Sequence, residues 1–75
     1  MSRFTVIAIW DRDTGVWSAS SEDIPGLNIE AETWDRLKDR VRDVASELIA
    51  LNNVPIDKDG GEIHIVTDER VSVAV

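Results

Sequence analysis

The chain has 75 residues, no cysteine, one histidine, and fifteen acidic against eight basic side chains, a formal charge of −7. That length holds one domain, burying only about 60% of its unfolded surface, so the core is thin and self-association is a natural supplement. The absence of cysteine excludes a disulfide framework and thiolate metal sites and suits a reducing cytoplasm, and an apolar share of 43% with three tryptophans excludes a disordered acidic tail.

The first residues, Met1-Ser2-Arg3-Phe4, lack the apolar run of a secretory signal. No stretch approaches the roughly 18 apolar residues of a membrane span, so a soluble, cytoplasmic protein is expected. The negative balance argues against direct nucleic-acid binding, which draws its affinity from phosphate neutralisation by a basic face. A basic protein is the better partner, because opposite charge steers encounter.

Phe4–Trp10 is β-rich and nearly apolar throughout, the pattern of a strand covered on both faces or lying centrally in a sheet. Asp11-Arg12-Asp13-Thr14-Gly15 gathers turn formers, and Val16–Ser20 follows as the second arm of a hairpin. Ser21–Glu32 is a polar connection interrupted by Ile24-Pro25-Gly26-Leu27, where proline fixes φ and glycine permits a tight turn. A short third strand over Leu27–Ala31 fits after it.

From Thr33 the period lengthens to helical. Trp34, Leu37, Val41, Val44, Ala45, Leu48 and Leu51 recur on one face, Thr33 is placed to cap, and Asn53 and Pro55 mark the exit after Asn52. The outer face alternates charge, with Asp35 and Lys38, Arg36 and Asp39, Asp39 and Arg42, and Arg40 and Asp43 three apart. Asp57–Gly61 is then a turn, Glu62–Val66 a strand, Asp68-Glu69-Arg70 another turn, and Val71–Val75 an alternating segment suited to a last strand. The expected fold is α+β: one amphipathic helix on a mostly antiparallel sheet of three to four strands, in the order β-β-(β)-α-β-(β), as a two-layer sandwich. No repeat, low-complexity segment or linker divides the chain, so one domain over residues 1–75 is expected.

Candidate chemistry is sparse. His64, between Ile63 and Ile65, reads as a partly exposed strand residue rather than a base or metal ligand. No positioned-serine motif supports a triad. Asp57–Glu62 lacks the ligand spacing of a calcium loop and reads as a turn. A two-metal nuclease would need Asp11 brought to other carboxylates such as Glu47 or Asp68. Trp10, Trp17 and Trp34 fill a small core, or one of them anchors an interface; Trp17, with small polar neighbours, is the candidate for exposure.

The run from Phe4, Val6 and Ala8 through Trp10-Asp11, Gly15, Val16-Trp17-Ser18-Ala19 and Asp23-Ile24-Pro25-Gly26-Leu27 to the threonine-capped helix resembles the N-terminal domain of bacterial HicB-like antitoxins. It looks most similar to a short branch known as domain of unknown function 1902. The resemblance covers roughly the first fifty-two residues, and its Pro-Gly turn is the most specific part. It implies a partial ribonuclease-H-like fold without a catalytic centre, no cofactor or metal, and action by binding. Such antitoxins sequester a small basic ribonuclease toxin of the HicA type. The positions carried over as framework and contact surface are Trp10, Asp11, Asp23, Ile24, Pro25, Gly26 and Leu27. The DNA-binding domain that follows in longer members is not expected in this chain, which runs to Val75.

The expected protein is therefore a non-enzymatic binding module and homodimer, its dimerisation motivated by the thin core and by Val71, Val73 and Val75. The alternatives are a stand-alone ligand-binding or structural domain, for which an apolar pocket between helix and sheet would be the sign, and a metal-dependent nuclease using Asp11. The helix's outer face balances its charges. The acidic excess lies in the connections, at Asp11, Asp13, Glu22, Asp23, Glu30, Glu32, Asp57, Asp59, Glu62, Asp68 and Glu69.

Overall fold

The computed structural model describes residues 1–74. Strands β1 (Ser2–Asp11), β2 (Val16–Ser20) and β3 (Asn28–Ala31) precede helix α1 (Trp34–Leu51), and strand β4 (Gly61–Asp68) follows it. The sheet order is β3-β2-β1-β4. β1–β2 and β2–β3 are antiparallel, as hairpin-type connections require. β1–β4 is parallel, because the chain crosses over through α1 before returning to the sheet. The expected α+β fold with a single helix is thus observed.

The hairpin turns at Gly15, whose φ of 71° is left-handed and whose N–H donates to the Asp11 carbonyl at 2.8 Å. β1 outruns β2 by several residues toward its start, and side chains complete the ladder there. Ser21 Oγ donates to the Thr5 carbonyl at 2.6 Å, and the Thr5 N–H donates to Asp23 Oδ2 at 2.7 Å. The Ser21 hydroxyl also accepts from the Asp23 N–H, closing a local turn.

Helix α1 starts as its sequence requires. Thr33 is extended (φ −127°, ψ 155°), and its hydroxyl accepts from the Arg36 N–H at 3.2 Å. The helix ends at Asn52, with Asn53 left-handed at φ 52°. Leu37, Val41 and Ala45 are buried, while Leu51, at the last turn, is 77% exposed and lies outside the core it was expected to join. Of the four expected ion pairs, Asp35–Lys38 (3.5 Å) and Asp39–Arg42 (3.6 Å) form. Arg40 instead donates to the Glu30 carbonyl of β3 at 2.9 Å, tying the helix to the edge of the sheet.

The core lies between α1 and one face of the sheet, where Phe4, Val6 and Ala8 of β1 meet Ala19, Ile29 and Ala31 of β2 and β3. Ile24 and Leu27 are 0% and 4% exposed. They sit in this core and cannot serve as contact surface; the turn at Gly26 (φ 85°) folds both inward. Val71–Ala74 forms no strand within the chain, and Val75 lies outside the described residues.

Candidate functional site

Alternation along β1 leaves the sheet with a covered inner face and an open outer one. Phe4, Val6 and Ala8 point to the helix, and Thr5, Ile7 and Ile9 point away from it. β1 is central in the sheet, as its apolar run implied, but only one of its faces is covered. The register sets Ile7 beside Val66 and Ser20, and Ile9 beside Asp68 and Ser18. Ile7, Ile9 and Val66 are 42%, 44% and 51% exposed, an apolar centre on an otherwise polar face. Asp11, Glu30, Glu62 and Asp68 stand around it on the same face, with Arg3 and Arg70, the latter 3.7 Å from Asp68, as its basic residues.

The hairpin end carries most of the residues singled out from the sequence. The rings of Trp10 and Trp17 are 5.3 Å apart, and those of Trp17 and Trp34 are 5.0 Å apart and edge-on. Trp17 is the middle member, half-buried against the core, while Trp10 is the more exposed. The expected order of exposure is reversed, because Trp17 points to the helix side and is covered by Trp34. Asp11 holds the turn, its Oδ1 accepting from the Asp13 N–H at 2.9 Å. Asp11, Asp13, Ile9, Ser18, Asp68 and Arg70 share a hollow of ≈ 630 Å³ at this end.

Asp23 is exposed, yet one of its oxygens is committed to the Thr5 main chain, which gives it a structural task. Pro25 and Gly26 are exposed at the opposite end of the sheet from Trp10 and Asp11, near the C-terminus of α1, where the Pro25 carbonyl accepts from Asn52 Nδ2 at 3.4 Å. The proposed contact residues therefore divide between two ends of the molecule, with Ile24 and Leu27 in the core between them.

Asp11 and Glu47 fall on opposite sides of the sheet, whereas Asp68 lines the same hollow as Asp11. Among the described residues no group of three or more His, Asp or Glu side chains could hold a metal ion. His64 lies on the outer face, its Nε2 3.5 Å from Glu62 Oε2 without a hydrogen-bond partner.

A second feature lies between the helix and the sheet edge. The helix lies chiefly over β2 and β3. β4 is left beyond its footprint, with Ile63 and Ile65 only half-buried. Between α1 and β4 an open groove of ≈ 620 Å³ is floored by Phe4, Val41, Ile49, Ile56, Ile63 and Ile65 and rimmed by Lys38, Asp39, Arg42 and Ser46. The sequence signal for both surfaces was the same: adjacent apolar residues of opposite parity, Ile7 and Ile9 among Val6 and Ala8, and Ile65-Val66.

No helix of the described residues is long and apolar enough to cross a membrane. The chain is similar to the crystal structure of hypothetical protein TTHA1013 from the extremely thermophilic bacterium Thermus thermophilus. The two share 31% identity with a TM-score of 0.83, over 95% of this chain and 99% of that one. None of the curated proteins matches the chain. The family model described as Domain of unknown function (DUF1902) matches residues 3–75, and the chain belongs to that family.

Proposed function

We propose that the chain is a non-enzymatic, HicB-like protein-binding module that sequesters a small basic toxin of the HicA ribonuclease type in the cytoplasm. The outer sheet face carries this reading. Ile7, Ile9 and Val66 offer an apolar centre, and Asp11, Glu30, Glu62 and Asp68 outnumber Arg3 and Arg70 around it. An apolar core within a charged rim is the anatomy of a protein interface. An acidic rim on a chain of net charge −7 selects a basic partner and repels nucleic acid.

The test uses the full chain as bait in a lysate of its own cells, with bound proteins identified by mass spectrometry. A small basic protein is expected, retained at low salt and released as salt screens the rim. Ile9→Arg, which sets a cation in the centre of the face, is expected to lose that protein while keeping the fold. Recovery of no small basic protein, or equal recovery by the variant, overturns the reading.

The groove between α1 and β4 favours a second reading, a stand-alone domain that binds an apolar small molecule. Its volume and apolar floor fit a ligand site. A thermal-shift panel of metabolites tests it, and stabilisation lost on Ile65→Asp is the supporting result.

A further inference from the structure

β4 and the chain that leaves it each lack a partner. β4 is an edge strand bonded only to β1, and such an edge is a template for another strand. Its Ile63 and Ile65 stand half-buried at the wall of the groove that α1 does not cover. Residues 69–74 pair with no strand among the described residues, and Val71 and Val73 are 81% and 79% exposed. Apolar residues alternate along this arm in the manner of a half-buried strand. No turn forms at Asp68-Glu69-Arg70, so the arm does not return along its own β4. The chain is accordingly elongated, with a radius of gyration of 13.9 Å, where a compact chain of this length has about 11 Å.

We propose that residues 69–74 of one copy add as an antiparallel strand to the β4 edge of a second copy, and reciprocally, in a two-fold dimer. A two-fold axis perpendicular to the sheet and passing near Asp68 keeps the helices of both copies on one side. Directly opposed residues of an antiparallel pair share a face. The register that sets Val71 opposite Ile65 and Val73 opposite Ile63 therefore directs both valines into the uncovered groove of the second copy. Six extended residues span about 20 Å, the length needed to lie along residues 62–67. On the outer face the same register sets the two Asp68 carboxylates opposite each other at the axis, and each Arg70, 3.7 Å from its own Asp68, lies diagonal to Asp68 of the second copy and offsets that repulsion.

The contact is isologous, since each copy gives one arm and receives one, and it closes without leaving a free arm to propagate a fibre. The two four-stranded sheets become continuous. In this dimer Val71 and Val73 of the second copy fill the groove, so the dimer and the small-molecule reading of that groove are alternatives. The inference is independent of which protein the outer face binds.

The chain has no cysteine, so the full-length double variant Ile63→Cys with Val73→Cys reads the register directly. Opposed positions of an antiparallel pair have Cα atoms about 4.5–5.5 Å apart, within the range a disulfide spans. Mild oxidation is expected to give a covalent dimer on a non-reducing gel, while either single variant gives almost none, because like positions lie about 34 Å apart across the axis. A link within one chain, or no link, overturns the register. Sedimentation of the unmodified chain at micromolar concentration is expected to show a dimer, and Val71→Asp with Val73→Asp a monomer of unchanged circular dichroism. A monomeric unmodified chain, or a dimer that survives the double aspartate variant, overturns the arm exchange.

Discussion

The main-chain N–H of Thr5 donates to Asp23 Oδ2 at 2.7 Å across eighteen residues of sequence. Together with the Ser21 hydroxyl on the Thr5 carbonyl, it lets two side chains stand in for a strand that β2 does not supply. Thr5 sits on central strand β1, so its N–H and C=O must be paired if β1 is to stay regular beyond the end of β2. Asp23→Ala is expected to cost about 1 kcal/mol in urea-unfolding stability, and Asp23→Asn, which keeps an acceptor, less than that. Equal losses for the two variants would mean that charge, not hydrogen bonding, is what Asp23 contributes.

The helix cap is a second local determinant. Thr33→Ala removes the acceptor for the Arg36 N–H and is expected to lower stability by about 1 kcal/mol, with Thr33→Asp restoring it. Thermal unfolding followed at the helix circular-dichroism band measures both.

Leu37 and Leu51 belong to the same apolar stripe but are 0% and 77% exposed. Leu37→Ala opens a cavity under α1 and is expected to cost about 2–5 kcal/mol. Leu51→Ala is expected to change stability by less than about 0.5 kcal/mol, as for other surface substitutions. Chemical denaturation of the two variants side by side checks the pair.

The tryptophan row predicts a ranked effect. Trp17 contacts both other rings and the core, so Trp17→Ala is expected to cost about 3 kcal/mol. Trp10→Ala, at the exposed end of the row, is expected to cost about 1 kcal/mol and to remove the most solvent-accessible emission. Acrylamide quenching of the two variants distinguishes the rings: quenching should fall most in Trp10→Ala.

Much of the fold was legible because its signals are local. The shift of apolar spacing at Thr33, the turn formers at Asp11–Gly15 and the Pro25-Gly26 turn each act within a few residues, and each produces the expected element. The candidate site was less legible. Ile24 and Leu27 belong to a recognisable motif, and the motif says nothing of which way they face; the turn at Gly26 buries both. Trp17 has small polar neighbours in sequence, but its neighbour in space is Trp34, from another element. Val71 and Val73 alternate as a strand should, and alternation cannot supply a pairing partner.

The sequence by itself determined an acidic chain with a hairpin, a capped amphipathic helix and a returning strand, because period, capping and turn chemistry are properties of neighbouring residues. Tertiary structure alone decided that β4 runs parallel to β1, that α1 lies over β2 and β3 rather than over β4, and that Ile7, Ile9 and Val66 form one apolar patch. A run such as Val6-Ile7-Ala8-Ile9 has apolar residues on both faces of its strand. Which face is covered depends on where a single helix of eighteen residues comes to rest on a four-stranded sheet too wide for it.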